Sequence, residues 1–158
     1  MPQYNWTVWM QEAIKLAEKA LPTDIPVGAL VLHSTAEYMD SEGFKLIGSG
    51  WNTREADNLP CGHAEIMALT QAANALGSWR LTNCILVVTL EPCPMCAAML
   101  MQCRVGQIVY GASSPLEGAM GSALNMADLY GYKPTIIGGV CEPEIQAMLQ
   151  RFFAGKRI

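Results

Sequence analysis

Two short segments carry the residue types from which a catalytic metal site can be built: His63-Ala64-Glu65 and Pro92-Cys93-Pro94-Met95-Cys96. Alone, each is ambiguous. A Cys-x-x-Cys pair serves as a redox couple or as half of a structural zinc site, and a His-x-Glu pair is as readily a packed histidine beside a solvated acid. Together they are specific. Two thiolates and one imidazole are soft-to-borderline donors that suit tetrahedral zinc, and three protein ligands leave a fourth position for water, as a catalytic zinc requires. Zinc can lower the pKa of a bound water from about 15.7 to about 7. A carboxylate is then needed to accept that proton and return it, and Glu65 stands ready for that work. The expectation is one zinc per chain on His63, Cys93 and Cys96, with Glu65 as the catalytic acid–base. Cys61 is a competing fourth ligand that would make the zinc structural, although a thiol so near His63 in the chain is directed elsewhere by strain. His33, the other of the two histidines, has no cysteine or acid beside it.

The elements that must position these residues follow from periodicity. Trp6, Met10, Ala13, Ala17 and Ala20 recur at helical spacing, and Pro22 ends that helix. Residues 27–32 and 45–51 read as two strands of a hairpin, with a long Ser-, Asp- and Gly-rich loop between them. Residues 63–76 favour helix. Residues 85–90 are continuously apolar, as in a strand buried on both faces. Pro94 suits a first helical turn, and the helix continues to Cys103, with Met95, Met99, Leu100 and Met101 expected in its core. Strands over 107–111 and 135–140 follow, then a helix opened by Pro143 with Ile145, Met148, Leu149 and Phe152 on one face. Alternating strands and helices around buried strands predict a three-layer α/β/α domain. A leading hairpin pairs antiparallel, so the sheet should be mixed. Both metal-binding segments fall near predicted helix starts, where free N–H groups and the positive dipole end favour thiolate.

Composition narrows the class. The 158 residues are 51% hydrophobic and 15% charged with a net charge of −4, which describes a globular chain with a large core and excludes a generally basic nucleic-acid binder. No repeat or linker divides the sequence, so one domain over 1–158 is expected. Residues 1–12 lack a cationic segment followed by an apolar run, and no apolar stretch approaches the roughly 20 residues that span a bilayer. A cytoplasmic protein without membrane association is expected. In a reducing compartment, cysteine pairs more often bind metal than form disulfides; Cys84, Cys103 and Cys141 sit in apolar settings and read as inert thiols.

The pattern H-x-E…P-C-x-x-C is the signature of zinc deaminases. The chain resembles the bacterial tRNA adenosine deaminases of the cytidine deaminase superfamily, from about Trp6 to Phe153. The resemblance is carried also by Ile25-Pro26-Val27-Gly28-Ala29, Gly50-Trp51-Asn52, Ala64-Glu65-Ile66-Met67-Ala68-Leu69, Trp79-Arg80-Leu81, Thr89-Leu90-Glu91 and Gly118-Ala119-Met120-Gly121-Ser122. It implies a cytidine-deaminase-like fold with a five-stranded mixed sheet and helices on both faces, a homodimer, and conversion of adenosine to inosine at the wobble position of a tRNA anticodon loop. It also implies that Asn52 hydrogen-bonds the target base, and that the backbone N–H of Ala64 and the side chain of Val27 line the base pocket.

The chain departs from that pattern in three places. Leu59-Pro60-Cys61-Gly62 stands where the family commonly has Asp-Pro-Thr-Ala, and Ser113, Ser114, Pro115 and Leu116 stand where charged residues are usual. The basic tail is reduced to Lys156 and Arg157, with Arg54, Arg80, Arg104 and Arg151 as other candidate phosphate contacts. A deaminase of a free base, guanine or cytosine, is therefore the enzymatic alternative. An inactive zinc-stabilised partner subunit is the third reading, against which Glu65 argues, since a structural site has no use for it.

Overall fold

The computed structural model describes residues 4–34 and 43–156. Helix α1 (Trp6–Glu18) leads into strands β1 (Gly28–Ser34) and β2 (Phe44–Trp51); then follow α2 (Ala64–Leu76), β3 (Cys84–Leu90), α3 (Pro94–Gln102), β4 (Gln107–Ala112), β5 (Thr135–Ile137) and α4 (Glu142–Lys156). The five strands form one sheet in the order β2-β1-β3-β4-β5. β1 pairs antiparallel with β2 and with β3, whereas β3–β4 and β4–β5 are parallel. The mixed sheet with helical layers is the architecture expected from the sequence.

Strand alternation sorts the core into two halves. Leu30, Leu32, Ile85, Val87 and Val109 pack with Trp6, Met10 and Ile14 of α1 and with Ile145 and Met148 of α4. Ala29, Val31, Leu86, Val88 and Ile108 face the other way, against Ala68, Leu69 and Ala72 of α2 and Ala97 and Leu100 of α3. The site segments lie at the starts of α2 and α3, hence in this second layer. α2 sits close over the hairpin because β2 offers no side chain there: a Cβ on Gly50 would lie 2.6 Å from the Ala64 carbonyl oxygen, and one on Gly48 2.2 Å from that of Ala68.

Some boundaries move from their expected places. α1 stops at Glu18, before Pro22, although Ala20 remains buried. The last strand covers Thr135–Ile137 and not 135–140, because Gly139 turns the chain with φ +85°. α4 begins at Glu142, one residue before Pro143. Met95, expected in the core of α3, is 40% exposed, while Leu100 and Met101 are buried. Most of the hairpin loop lies outside the described residues, as does Arg157.

Candidate active site

Each half of the site begins as a helix N-terminus. His63 is the N-cap of α2 with extended backbone (φ −95°, ψ 146°), and its side chain makes no capping bond. The orphan N–H of Ala64 is taken instead by Asn52 Oδ1 at 2.9 Å. Cys93 is the N-cap of α3 (φ −71°, ψ 171°), again with no side-chain cap, and Pro94 fixes the first turn. Freed from capping, both side chains turn toward one another. Cys96, one helical turn on, is wholly buried and joins them.

His63 Nδ1 lies 3.6 Å from Cys93 Sγ and 3.5 Å from Cys96 Sγ. The donor groups of the three residues fall within 4.8 Å of one another, and they form the one such His/Cys/acid group among the described residues. Tetrahedral zinc with bonds of about 2.1 and 2.3 Å places a nitrogen and a sulfur ligand about 3.6 Å apart. The spacing and chemistry of the donor set therefore fit zinc. Cys61 is exposed and stands outside this group; its carbonyl accepts the His63 N–H at 2.8 Å.

Electrostatics agree with that fit. The Cys93 thiol is pushed down to about 4, chiefly by the hydrogen bond from Cys96 and then by His63. Cys96 is driven up in turn, by the same bond and by burial. His63 is raised, first by its hydrogen bond to Cys93. Protons shared among two sulfurs and an imidazole are those a zinc ion displaces on binding. Glu65 is 4% exposed, and burial pushes its carboxyl up to about 7. A carboxyl poised there can hold or release a proton near neutral pH.

These groups open onto a cleft of about 710 Å³, lined among others by Ile25, Val27, Asn52, His63, Glu65 and Cys93. Val27 and Asn52 thus lie where the sequence expects a base pocket. The Ala64 N–H donates to Asn52 Oδ1 at 2.9 Å and so orients the asparagine. Asn52 also donates from Nδ2 to the Ile25 carbonyl at 3.0 Å, tying β2 to the segment before β1. Of the candidate cations, Arg54 and Lys156 line the cleft. Arg80 lies over Trp79 and Arg104 over Tyr132.

Sequence reasoning gave no role to two buried acids on the same cleft. Asp24, 3% exposed, accepts the Glu55 and Ala56 N–H groups at 2.7 and 3.0 Å and holds the loop that follows Asn52. Glu91, 2% exposed, accepts from the backbone of Ser114, Met120 and Ser122. The available signal was position: an acid closing an apolar strand directly before Pro92-Cys93 is badly placed for solvent.

The profile of the cytidine and deoxycytidylate deaminase zinc-binding region matches residues 5–112. The tRNA-specific adenosine deaminase of Bacillus subtilis is 36% identical over 92% of this chain and 87% of its own length. A tRNA(Ile)-lysidine synthase of Deinococcus radiodurans is 43% identical over 94% of this chain, which spans only 24% of that longer protein. Among solved structures, a tRNA:A34 deaminase superposes with a TM-score of 0.80 at 31% identity, covering 90% of this chain and 99% of its own. Guanine deaminase from Nitrosomonas europaea gives 0.78 at 25% identity, covering 96% and 86%.

Proposed function

The chain belongs to the cytidine and deoxycytidylate deaminase zinc-binding family, and from that premise we propose that it is a hydrolytic deaminase converting adenosine to inosine at a tRNA wobble position. The observation that carries the reading is the convergence of His63, Cys93 and Cys96 beside the buried Glu65 at one cleft. Similarity to tRNA-specific adenosine deaminases supports the choice of substrate.

His63, Cys93 and Cys96 hold one zinc per chain, which elemental analysis of the purified protein should find. When bound, zinc supplies Lewis acidity that makes water a usable nucleophile near neutral pH. Glu65 takes the proton of the attacking water and places it on the purine ring. It then takes the remaining proton from the oxygen now bonded to C6 and delivers it to the exocyclic amine, so that the C6–N bond breaks, ammonia leaves and the C6 carbonyl remains. Val27 packs against the base. Asn52 keeps one N–H and one oxygen lone pair beyond its internal bonds, enough to read a purine edge. An unpaired anticodon-loop base enters more cheaply than a paired one.

The reading includes a single deaminase domain, a cytoplasmic location and association of two copies. Sedimentation tests the last. One observation favours a free base such as guanine as a second reading. The cleft lining carries Asp24, Glu55, Glu65, Glu91 and Glu117 against only Arg54 and Lys156, a poor complement for phosphates. Incubating the protein with unmodified tRNA transcripts, and separately with guanine and cytosine, while measuring ammonia and inosine, separates the two. Inosine at the wobble position supports the proposal; guanine turnover with no inosine in any transcript overturns it.

A further inference from the structure

Beyond β4 the chain runs from Ser113 to Pro134 with no regular element except a short 3-10 turn, Met126–Asp128, and a bridge between Met120 and Asn125. Ser114 and Glu117 of this segment form part of the cleft wall. Besides backbone bonds within it, such as Gly118 N to the Ser114 carbonyl at 2.7 Å and Ala123 N to the Gly118 carbonyl at 2.9 Å, the segment is tied to the rest of the domain, over residues 114–122, by one side chain.

Both oxygens of Glu91 are saturated by it. Oε1 accepts from Met120 N at 3.0 Å and Ser122 N at 3.1 Å; Oε2 accepts from Ser114 N at 3.0 Å and from the Ser122 hydroxyl. The segment is folded around this carboxylate so closely that a Cβ on Gly118 would lie 2.4 Å from Glu91 Cδ. Backbone bonds brace the same neighbourhood: Ala119 N donates to the Pro92 carbonyl at 2.8 Å, and Glu91 N to that of Ala112 at 2.9 Å. Glu91 and Pro92 immediately precede the proposed ligand Cys93. The residues that fix the wall and the residue that fixes the metal are therefore consecutive in the chain.

Every partner of this carboxylate donates. Glutamine would keep the shape but offer one acceptor oxygen, and its NH2 would face donors. Only the Ser122 hydroxyl could turn to accept from it; the backbone N–H groups of Ser114, Met120 and Ser122 can only donate, so at least one of them loses its acceptor.

We propose that Glu91 is a positioning residue for substrate: its carboxylate sets residues 114–122 as the cleft wall and thereby governs substrate affinity, without taking part in the proton transfers. The inference rests on the reading of the cleft as a deaminase site. In Glu91→Gln, zinc content should stay at the wild-type value, and the amides of Ser114, Met120 and Ser122 should exchange hydrogen faster than in the wild type. KM for whichever of tRNA or free base the wild type deaminates should rise by at least about tenfold, with kcat within about threefold, as expected when ground-state and transition-state binding fall together. Ser122→Ala, which removes only the hydroxyl bond, should move in the same direction by less, and it serves if Glu91→Gln does not fold. Unchanged exchange at those amides overturns the proposal, as does a fall in kcat at constant KM or a loss of zinc. If the wild type deaminates neither substrate class, the functional reading has failed on its own account, and amide exchange alone then decides whether Glu91 anchors the wall.

Discussion

Replacing Gly50 with alanine puts a methyl group into the seam between β2 and the first turn of α2. The new Cβ would lie 2.6 Å from the Ala64 oxygen, 2.7 Å from Met67 Cβ and 3.1 Å from Ala68 N. Two of these neighbours are backbone atoms, so relief requires the start of the helix to lift, by roughly half an ångström or more to restore ordinary contact. Overpacking of this kind typically costs about 1–3 kcal/mol. For a chain of this size each kcal/mol lowers Tm by about 2–4 °C, giving a fall of roughly 2–12 °C. The larger effect should be on chemistry, because the displaced turn carries His63 and Glu65: a misplacement of 1 Å can cost about 10²-fold in rate. Gly77→Ala is the matched control. Gly77 ends the same helix at φ +62° with nothing within 4 Å of its Cβ, so alanine there costs backbone strain far from the site. Thermal unfolding and kcat, with zinc measured in each preparation, make the comparison. Equal losses of activity in the two variants, or a Gly50→Ala protein with wild-type Tm and kcat, would refute the reasoning.

Glu65→Gln should fold and retain zinc while kcat drops by about 10²–10⁴, the range for a lost general acid–base; an active variant removes Glu65 from the mechanism. Lys156→Ala should weaken activity on tRNA and reduce the salt slope by about 1, leaving turnover of any free base unchanged. Equal effects on both substrates would mean that Lys156 meets no phosphate. Burial holds the Cys84 thiol up at about 11 against an ordinary 9.0. The folded chain therefore keeps a proton that the unfolded chain releases. That contribution to stability is whole below pH 9.0 and is lost as pH rises toward 11. In Cys84→Ala the alkaline decline in urea midpoint should be shallower; an identical decline would show that this thiol does not contribute.

The donor set was legible because the side-chain types themselves announce the chemistry: few uses combine His63, Cys93, Cys96 and an adjacent Glu65. The sheet was legible for a similar reason. The apolar runs at β1, β3 and β4 are long and bounded, and the leading hairpin marks the sheet as mixed, while the strand order β2-β1-β3-β4-β5 became visible only in the structure. What escaped was every interaction whose other partner is backbone. Asp24 and Glu91 bind N–H groups belonging to Glu55, Ala56, Ser114, Met120 and Ser122, and no side-chain pattern marks a residue as the owner of a donor. Asn52 lines the cleft as expected, but its bonds to Ala64 N and the Ile25 carbonyl were equally invisible in the sequence. The shortened β5 has another cause: Gly138 and Gly139 separate Val140 from the apolar run, and Gly139 adopts a positive φ that leaves the sheet.

β3 feeds both halves of the core in alternation, is paired on both edges, and ends at Leu90, close before Cys93. One residue added or removed within it would exchange its two faces, since side chains there repeat with a period of two, and would carry the Pro-Cys segment along by about 3.3 Å. The position of the cysteine half relative to the sheet is thus set in whole residues by this strand. Chain length can vary without this penalty at residues 77–80, which are exposed and belong to neither core. A sequence lengthened in that turn can keep the reaction, whereas one altered by a single residue inside β3 loses both the sheet and the site together.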